Sequence, residues 1–454
     1  MAKFKPKTYV ITSAQYDGIA HKEFFAALQT YCRERDAELL ILPMAGKNIQ
    51  EEDLDPIIAA HEGLTYLEKD RRLNDKIKIS SYNIRPQQID PVTGLGRFTQ
   101  SDVTTLFASP KQRLRVIPNS AETLPKVLMT TGAVTKPNYK GDRIGNIALK
   151  DHMYGAIVVE AVDPTTYHYR QLIANKQNGQ FVDLGGKYKS DGTESCDLEA
   201  LVLGDWHTGD TNPKVREATY QMIRKLKPKR IFLHDFFNGH SVSHWEENKH
   251  ISRAIAYAQG RASLEEELRA NSRELFLLRR VAGENAEIVR VKGNHDEFLD
   301  RYLEEERYMR EVHNWRVGHE LALACYDPQN PKRRIKDPLQ EGLKLYGGIP
   351  DKVTFLQRNQ DYKFLGWQLG AHGDKGGNGA RASVLSLENA YGKSITGHRH
   401  TPEILRGAVV VGTSTHLTLP YTDGPSSWMN THALLWSNGK VQLINIIDGE
   451  WRKQ

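Results

Sequence analysis

Ala200-Leu201-Val202-Leu203-Gly204-Asp205-Trp206-His207 is a short apolar run that stops at a glycine and delivers a carboxylate and an imidazole on the turn that follows. A brief apolar run closed by glycine reads as a buried strand of a parallel sheet, and the carboxyl end of such a strand is where open α/β sheets keep their sites. Beyond the turn, Thr211-Asn212-Pro213 reads as a helix cap with proline at the first helical position. Val215, Ala218, Thr219, Met222, Ile223 and Leu226 then recur at helical spacing, which gives that helix one buried stripe. Strand, ligand-bearing turn, helix is the local unit, and it predicts an α/β fold.

The unit repeats along the chain. Lys229-Arg230-Ile231-Phe232-Leu233-His234 delivers Asp235, and Glu287-Ile288-Val289-Arg290-Val291-Lys292 delivers Gly293-Asn294-His295-Asp296. The apolar stretch Phe364 to Leu369 reads as a strand that delivers Gly370-Ala371-His372-Gly373-Asp374. Last comes Gly397-His398-Arg399-His400, in which two imidazoles two positions apart at the end of an apolar segment point the same way. Together Asp205, His207, Asp235, Asn294, His372, His398 and His400 can enclose a pair of divalent metals. In a chain with 17 histidines a single Gly-His pair is more often a loop than a ligand, but an ordered series of such blocks is hard to obtain by chance. Mixed imidazole and oxygen donors suit manganese, iron or zinc better than calcium, and the lack of cysteine at these positions argues against a closed structural zinc site.

In order and spacing, these blocks resemble the calcineurin-like metallophosphoesterase superfamily over residues 195–454. The resemblance implies a β-sandwich flanked by helices. It also implies two divalent ions, manganese first with iron or zinc as alternatives, one held by Asp205, His207, Asp235 and His400 and the other by Asp235, Asn294, His372 and His398. Asp235 would bridge the pair, since a carboxylate offers two oxygens and the charge to hold two cations together. A metal-bridging hydroxide would attack phosphorus, and His295 would protonate the leaving group, a contribution of roughly 100- to 10,000-fold. Asp296 is expected to orient the His295 ring, as outer-sphere acids do.

The second block departs from the superfamily pattern: His234 stands where a glycine is usual, and Asn238 stands where many members have Asp or His. Serine/threonine phosphatases of the superfamily read GDxVDRG followed by GNHE, whereas this chain reads HDFFNGH followed by GNHDE. Asp235-Phe236-Phe237 is closer to the Asp-Leu-Phe of the DNA-repair-type nuclease branch, so the expected activity is that of a metal-dependent phosphoric ester hydrolase, a DNase. The alternatives are a phosphatase or phosphodiesterase acting on small nucleotides, and a non-catalytic, metal-bound binding or regulatory protein.

Substrate contacts are read more loosely. Asn238 is a candidate phosphate contact, with a plain turn or cap role equally open. His240, followed by His244, Trp245 and His250, could stack a base or meet a leaving group. Lys375 and Arg381 flank the glycine-rich stretch Gly373 to Gly379 beside His372, where a positively charged loop could admit a strand. Further basic clusters stand at Lys225, Lys227, Lys229 and Arg230, and at Lys332, Arg333, Arg334 and Lys336; such runs are usually solvated faces. Lys+Arg 62 against Asp+Glu 56 leaves +6 and a pI of about 8.9, tolerant of a polyanion such as DNA without demanding one. Ser263 and Glu266 form a capping-box pattern before an amphipathic helix. Thr431 to Trp436, a Ser437-Asn438-Gly439 turn and Val441 to Ile446 form a closing hairpin.

Residues 1–190 lie outside the resemblance and read as a mixed α/β accessory domain, with its boundary in the stretch Gly185 to Gly192. Thr8 to Thr12, a helix over His21 to Arg35, and Glu38 to Leu42 make a strand, helix, strand unit. Val127 to Met129 and Ile157 to Val159 are strand-like, and Asn178-Gly179 between Leu172-Ile173 and Phe181-Val182 signals a hairpin. Ala14-Gln15 and Leu42-Pro43 give a passing likeness to carbon-nitrogen hydrolases, but Met44 stands where their catalytic glutamate would be. A non-catalytic role is expected, in substrate presentation or self-association into a homo-oligomer. Cys32, Cys196 and Cys325, odd in number and far apart, point to a reducing compartment. No run of about 18 apolar residues spans a membrane and no apolar signal segment follows the first lysines, so a soluble cytoplasmic protein is expected.

Overall fold

The computed structural model describes residues 4–47, 53–99, 102–120, 123–326, 329 and 336–453. Leu198–Val202, Arg230–His234, Glu287–Val291 and Val353–Leu356 lie side by side as parallel strands, and the hairpin Thr431–Trp436 and Val441–Asn445 adds to the Leu198–Val202 edge antiparallel, making a six-stranded sheet. Alternation fixes which face each side chain takes. Leu201, Ile231, Leu233, Ile288, Leu434 and Trp436 point to the helix-covered face, while Ala200, Val202, Phe232, Val289, Val291, Ala433 and Leu435 point to the other. The helices Pro213–Leu226 and Leu264–Ala282 pack their apolar stripes on the first face. Asn212 caps the former by accepting from the Lys214 N–H, with Pro213 at the first position, and Ser263 caps the latter by accepting from the Glu266 N–H.

The second face meets a ten-stranded sheet whose order runs from Lys363–Phe364 through Trp367–Gln368, Ser394–Thr396, Ala408–Val410 and Glu403–Leu405, then into Arg113–Ile117, Lys126–Thr130, Thr104–Phe107, Ile77–Ile79 and Arg71–Arg72. Strands from before residue 190 therefore continue a sheet begun by strands after residue 360, with Glu403 to Leu405 pairing antiparallel to Arg113 to Arg115. One apolar cluster spans both sheets: Leu106, Leu114, Val127 and Met129 pack with Ile395, Val409, Phe232 and Val289, all nearly inaccessible to water. Burying each such side chain contributes roughly 1.5–3 kcal/mol. Hydrogen bonding and core thus cross the stretch Gly185 to Gly192.

The opening strand, helix, strand unit is present as Lys7–Gln15, Lys22–Arg35 and Ala37–Met44, with His21 capping the helix. It belongs to a four-stranded sheet completed by Gly155–Ala161 and Tyr167–Ile173. The turn at Asn178-Gly179 joins strands of different sheets, because Phe181–Asp183 pairs with Gly186–Lys189 and not with Tyr167–Ile173. Gly179, at φ +67°, sits so close to the Phe24 amide that a Cβ would lie 2.3 Å from its nitrogen, so the turn is set by packing on the first helix. Phe364 to Leu369 is likewise not one strand: Leu365 and Gly366 both have positive φ and make the two-residue turn of a short hairpin. Of the basic run near residue 333, Lys332, Arg333 and Arg334 lie outside the described residues. No helix among the described residues is long and apolar enough to cross a membrane. The class is mixed α/β.

Candidate metal centre

The parallel strands end on one side of the six-stranded sheet, and the turns that leave them are stitched together by backbone bonds. Trp206 N–H donates to the His234 carbonyl at 3.0 Å, His207 N–H to the Asp235 carbonyl at 2.9 Å, and Asp205 N–H to the Gly412 carbonyl at 3.1 Å. His207, Asp235, His398 and His400 all hold positive φ, between 41° and 72°. Left-handed backbone at a non-glycine residue costs on the order of 1–3 kcal/mol and persists only where the surroundings over-determine it, a condition that clusters at functional sites. Two glycines make room. A Cβ on Gly293 would fall 1.8 Å from Asp235 Oδ1, and one on Gly397 would fall 2.1 Å from Asp205 Oδ1.

These turns bring Asp205, His207, Asp235, Asn294, His372, His398 and His400 into one cluster. His400 Nε2 lies 3.1 Å from Asp205 Oδ2 and 3.1 Å from His207 Nε2. His372 Nε2 lies 3.1 Å from Asp235 Oδ2 and 3.1 Å from Asn294 Oδ1, and His398 Nδ1 lies 2.9 Å from the same amide oxygen. Asp205, His207 and His400 form one group whose donor atoms lie within 4.8 Å of one another; Asp235, His372 and His398 form a second, and His207, Asp235 and His295 a third. These buried groups could hold a metal ion.

The electrostatics favour a cation. Asp205 and Asp235 are 0% and 1% exposed, and among the described residues no lysine or arginine pairs with either. A buried carboxylate without a counter-charge is costly. Asp205 Oδ1, Nδ1 of His207 and Nδ1 of His400 are buried without a hydrogen-bond partner among the described residues, while Asp205 Oδ2 faces the His400 ring. Burial alone would raise the Asp205 carboxyl, yet the imidazoles of His400 and His372 hold it at about 2. Burial, with the His295 ring beside it, pushes His207 down to about 3. His372 goes the other way: burial opposes its protonation, but Asp235 at hydrogen-bond distance overrides this and raises it to about 9. A proton on His372 is thus balancing buried negative charge, a task that a bound cation performs better.

His295 lies at the edge of the cluster, its ring edge-on to His207 with centroids 4.4 Å apart. Its orientation comes from an unexpected partner: Nδ1 lies 2.7 Å from the Asn238 backbone carbonyl. Asp296 instead accepts from the Gly293 N–H at 2.8 Å and the Phe237 N–H at 3.2 Å, which ties the second and third turns together and leaves the ring to the main chain. His234 is fully buried with Nδ1 3.4 Å from His372 Nδ1, so it packs behind that imidazole.

The Asn238 amide donates to Asp210 Oδ2 at 2.8 Å and His240 Nε2 lies 2.9 Å from the same oxygen, so both candidates are organised around an aspartate that motif reading passed over. Burial opposes charge on His240, but Asp210 raises its pKa. Lys375 pairs with Glu297 at 3.0 Å, and Arg381, bridged to it through the backbone, is exposed. His244 contacts the exposed Trp245, the Arg301 guanidinium and the Phe298 ring, which in turn packs on His295, and His250 is exposed at the start of a helix. Lys229 and Arg230 pair with Glu199 at the opposite end of the strand that delivers Asp235. Trp428 was also unanticipated: its ring is edge-on to His400 with centroids 4.2 Å apart, on a loop held by reciprocal backbone bonds between Asn119 and Ser426.

No family model matches this chain and no solved structure matches it. It is similar to Protein A1 of Escherichia phage T5, with 27% identity over 471 residues, covering 98% of this chain and 83% of that protein. That name assigns no chemistry.

Proposed function

We propose that this protein is a two-metal phosphoesterase that hydrolyses phosphodiester bonds of DNA, with manganese as the working ion. The observation that carries the reading is the pair of buried carboxylates, Asp205 and Asp235, ringed by imidazoles and one amide oxygen, with no lysine or arginine among the described residues to neutralise them. Asp235 is the bridging candidate, because its Oδ2 faces His207 at 3.9 Å on one side and His372 at 3.1 Å on the other. Oxygen and nitrogen donors without sulfur suit a hard to borderline divalent ion. Such ions supply Lewis acidity toward a phosphoryl oxygen and a nucleophile at neutral pH.

The chain's own contribution is position and proton transfer. Because a carbonyl only accepts, its contact keeps a proton on Nδ1 of His295, so Nε2 is the atom from which the doubly protonated ring would give a proton to the leaving oxygen, returning to the neutral Nδ1–H form. Asn238, whose carbonyl holds that ring, and His240 are both fixed through Asp210 and would supply donors to a phosphate. Trp428, against the His400 ring, and exposed Tyr421, with ring centroids 6.3 Å apart, offer faces for a base.

The test is cleavage of linear, circular and single-stranded DNA with manganese, beside mononucleotides and cyclic nucleotides. Metal-dependent DNA cleavage is expected. Turnover of the small esters alone would move the substrate class to small nucleotides. Metal binding with no turnover on any of them would leave a binding or regulatory protein.

A further inference from the structure

A separate cavity of about 220 Å³ opens where the two halves of the chain meet. It lies at the beginnings of Ser394–Thr396 and Ala408–Val410, strands whose other ends lead to the metal cluster, so the run from Lys393 to His398 separates the two by roughly 16 Å at about 3.3 Å per residue. Its floor is apolar, made by Trp367, Ile404, Val409, Val441 and Leu443. Its rim carries Arg113, Lys150, Lys393, Arg406 and Lys440 against the single carboxylate Asp151.

The cations are only partly neutralised. Arg113 pairs with Asp151 at 3.1 Å, and Arg406 pairs with Glu388. Arg113 is 2% exposed, and its Nε is buried without an acceptor among the described residues. Lys150 and Lys440 have no carboxylate partner among the described residues, and Lys393 meets only the Trp367 ring, 5.7 Å from its centroid. Burial, and then the charges of Lys393 and Lys176, pull the Lys440 ammonium below its usual range. Surplus positive charge held against an apolar floor is unfavourable until an anion arrives. The cavity admits one ring system, not a strand.

We infer that this pocket binds a nucleoside monophosphate, the base lying against Trp367, Ile404 and Val409 and the phosphate meeting Lys393, Lys440 and Arg113. Monophosphate chemistry follows from the size and from the uncompensated lysines; a neutral ring would leave them unpaired, and bare phosphate would leave the floor wet. The inference is independent of what the metal centre hydrolyses.

Calorimetric titration of the full chain in EDTA, which strips metal-bound phosphate from the signal, tests it with thymidine 5′-monophosphate, thymidine and inorganic phosphate as probes. The monophosphate is expected to bind at least tenfold more tightly than either fragment. Lys393→Met with Lys440→Met should weaken it at least tenfold, and exposed Lys150→Ala, which removes no packing, should weaken it less. His398→Ala, in the other site, should leave it unchanged. No binding, equal binding of thymidine or phosphate, indifference to the lysine changes in protein of wild-type melting temperature, or loss of binding in His398→Ala would each overturn the assignment.

Discussion

Gly397→Ala is a direct probe of the candidate metal centre, because the added methyl runs into Asp205 first and presses on His234 as well. Gly397 has no positive φ, so the backbone accepts alanine, but the new Cβ would lie 2.1 Å from Asp205 Oδ1 and 3.0 Å from His234 Cβ. Real Cβ contacts essentially never fall below 3.0 Å, so the carboxylate must withdraw by roughly 1 Å, against the ~0.2 Å that metal–ligand distances tolerate. Overpacking of this kind costs about 1–3 kcal/mol. Disturbing the shell that merely orients ligands weakens metal affinity 10- to 100-fold, and displacing a ligand should do at least as much. At a manganese concentration 100 times the wild-type Kd, bound metal stabilises the fold by about 2.7 kcal/mol; a 100-fold weaker site retains only about 0.4 kcal/mol. The assay is the melting temperature with and without manganese, together with metal content by mass spectrometry. Gly377→Ala serves as control, since its Cβ meets nothing within 4 Å. If Gly397→Ala keeps full metal content and the full manganese-induced rise in melting temperature, Asp205 does not ligate metal in this geometry.

Other perturbations follow from the same contacts. His295→Ala should leave metal content intact and lower turnover roughly 100- to 10,000-fold, whereas Asp296→Asn, acting on two backbone amides, should lower stability as well; equal turnover in wild type and His295→Ala would remove the proton-donor role. His152 is buried between the Thr135 carbonyl and the Tyr139 hydroxyl, and burial lowers it from its ordinary 6.5 to about 4. A base whose folded pKa is depressed favours the folded state fully above pH 6.5 and loses that advantage as pH falls toward 4, a loss of up to about 3 kcal/mol. Denaturant titrations of His152→Gln should show a flatter fall over that window, and an unchanged slope would assign the acid sensitivity elsewhere. Ser426→Pro removes the N–H that donates to the Asn119 carbonyl at 2.7 Å and should loosen the loop carrying Trp428; lower turnover with unchanged metal content is expected, and normal turnover would show that the loop's position is immaterial.

What could be read from the chain was whatever local order dictates. Gly204, Gly293 and Gly397 mark where strands stop, and Asp205, Asn294 and His398 follow them, so these donors of the cluster are legible in the sequence itself. What stayed hidden depends on contacts between distant segments. Nothing in Arg113–Ile117 announces that its partner is Glu403–Leu405, because edge complementarity leaves no periodic mark. Asp210 escaped notice because its importance lies in holding Asn238 and His240, both remote in sequence, and Trp428 because its contact with His400 depends on how a long loop is anchored. The misread stretch at Phe364 to Leu369 hinged on Leu365, whose left-handed backbone is uncommon for that residue type and could not be inferred from apolarity.

The continuity of the ten-stranded sheet governs how the protein can be made. Leu114 pairs with Met129 on one side but finds its other neighbour at Ile404, so during synthesis that edge of Arg113–Ile117 must stay bare until nearly the whole polypeptide has left the ribosome. Closing so large a loop is slow, and an uncovered strand edge invites pairing with other nascent copies. Excision of residues 195–454 should therefore yield aggregates, whereas supplying residues 1–190 as a separate fragment in the same cell should recover soluble material.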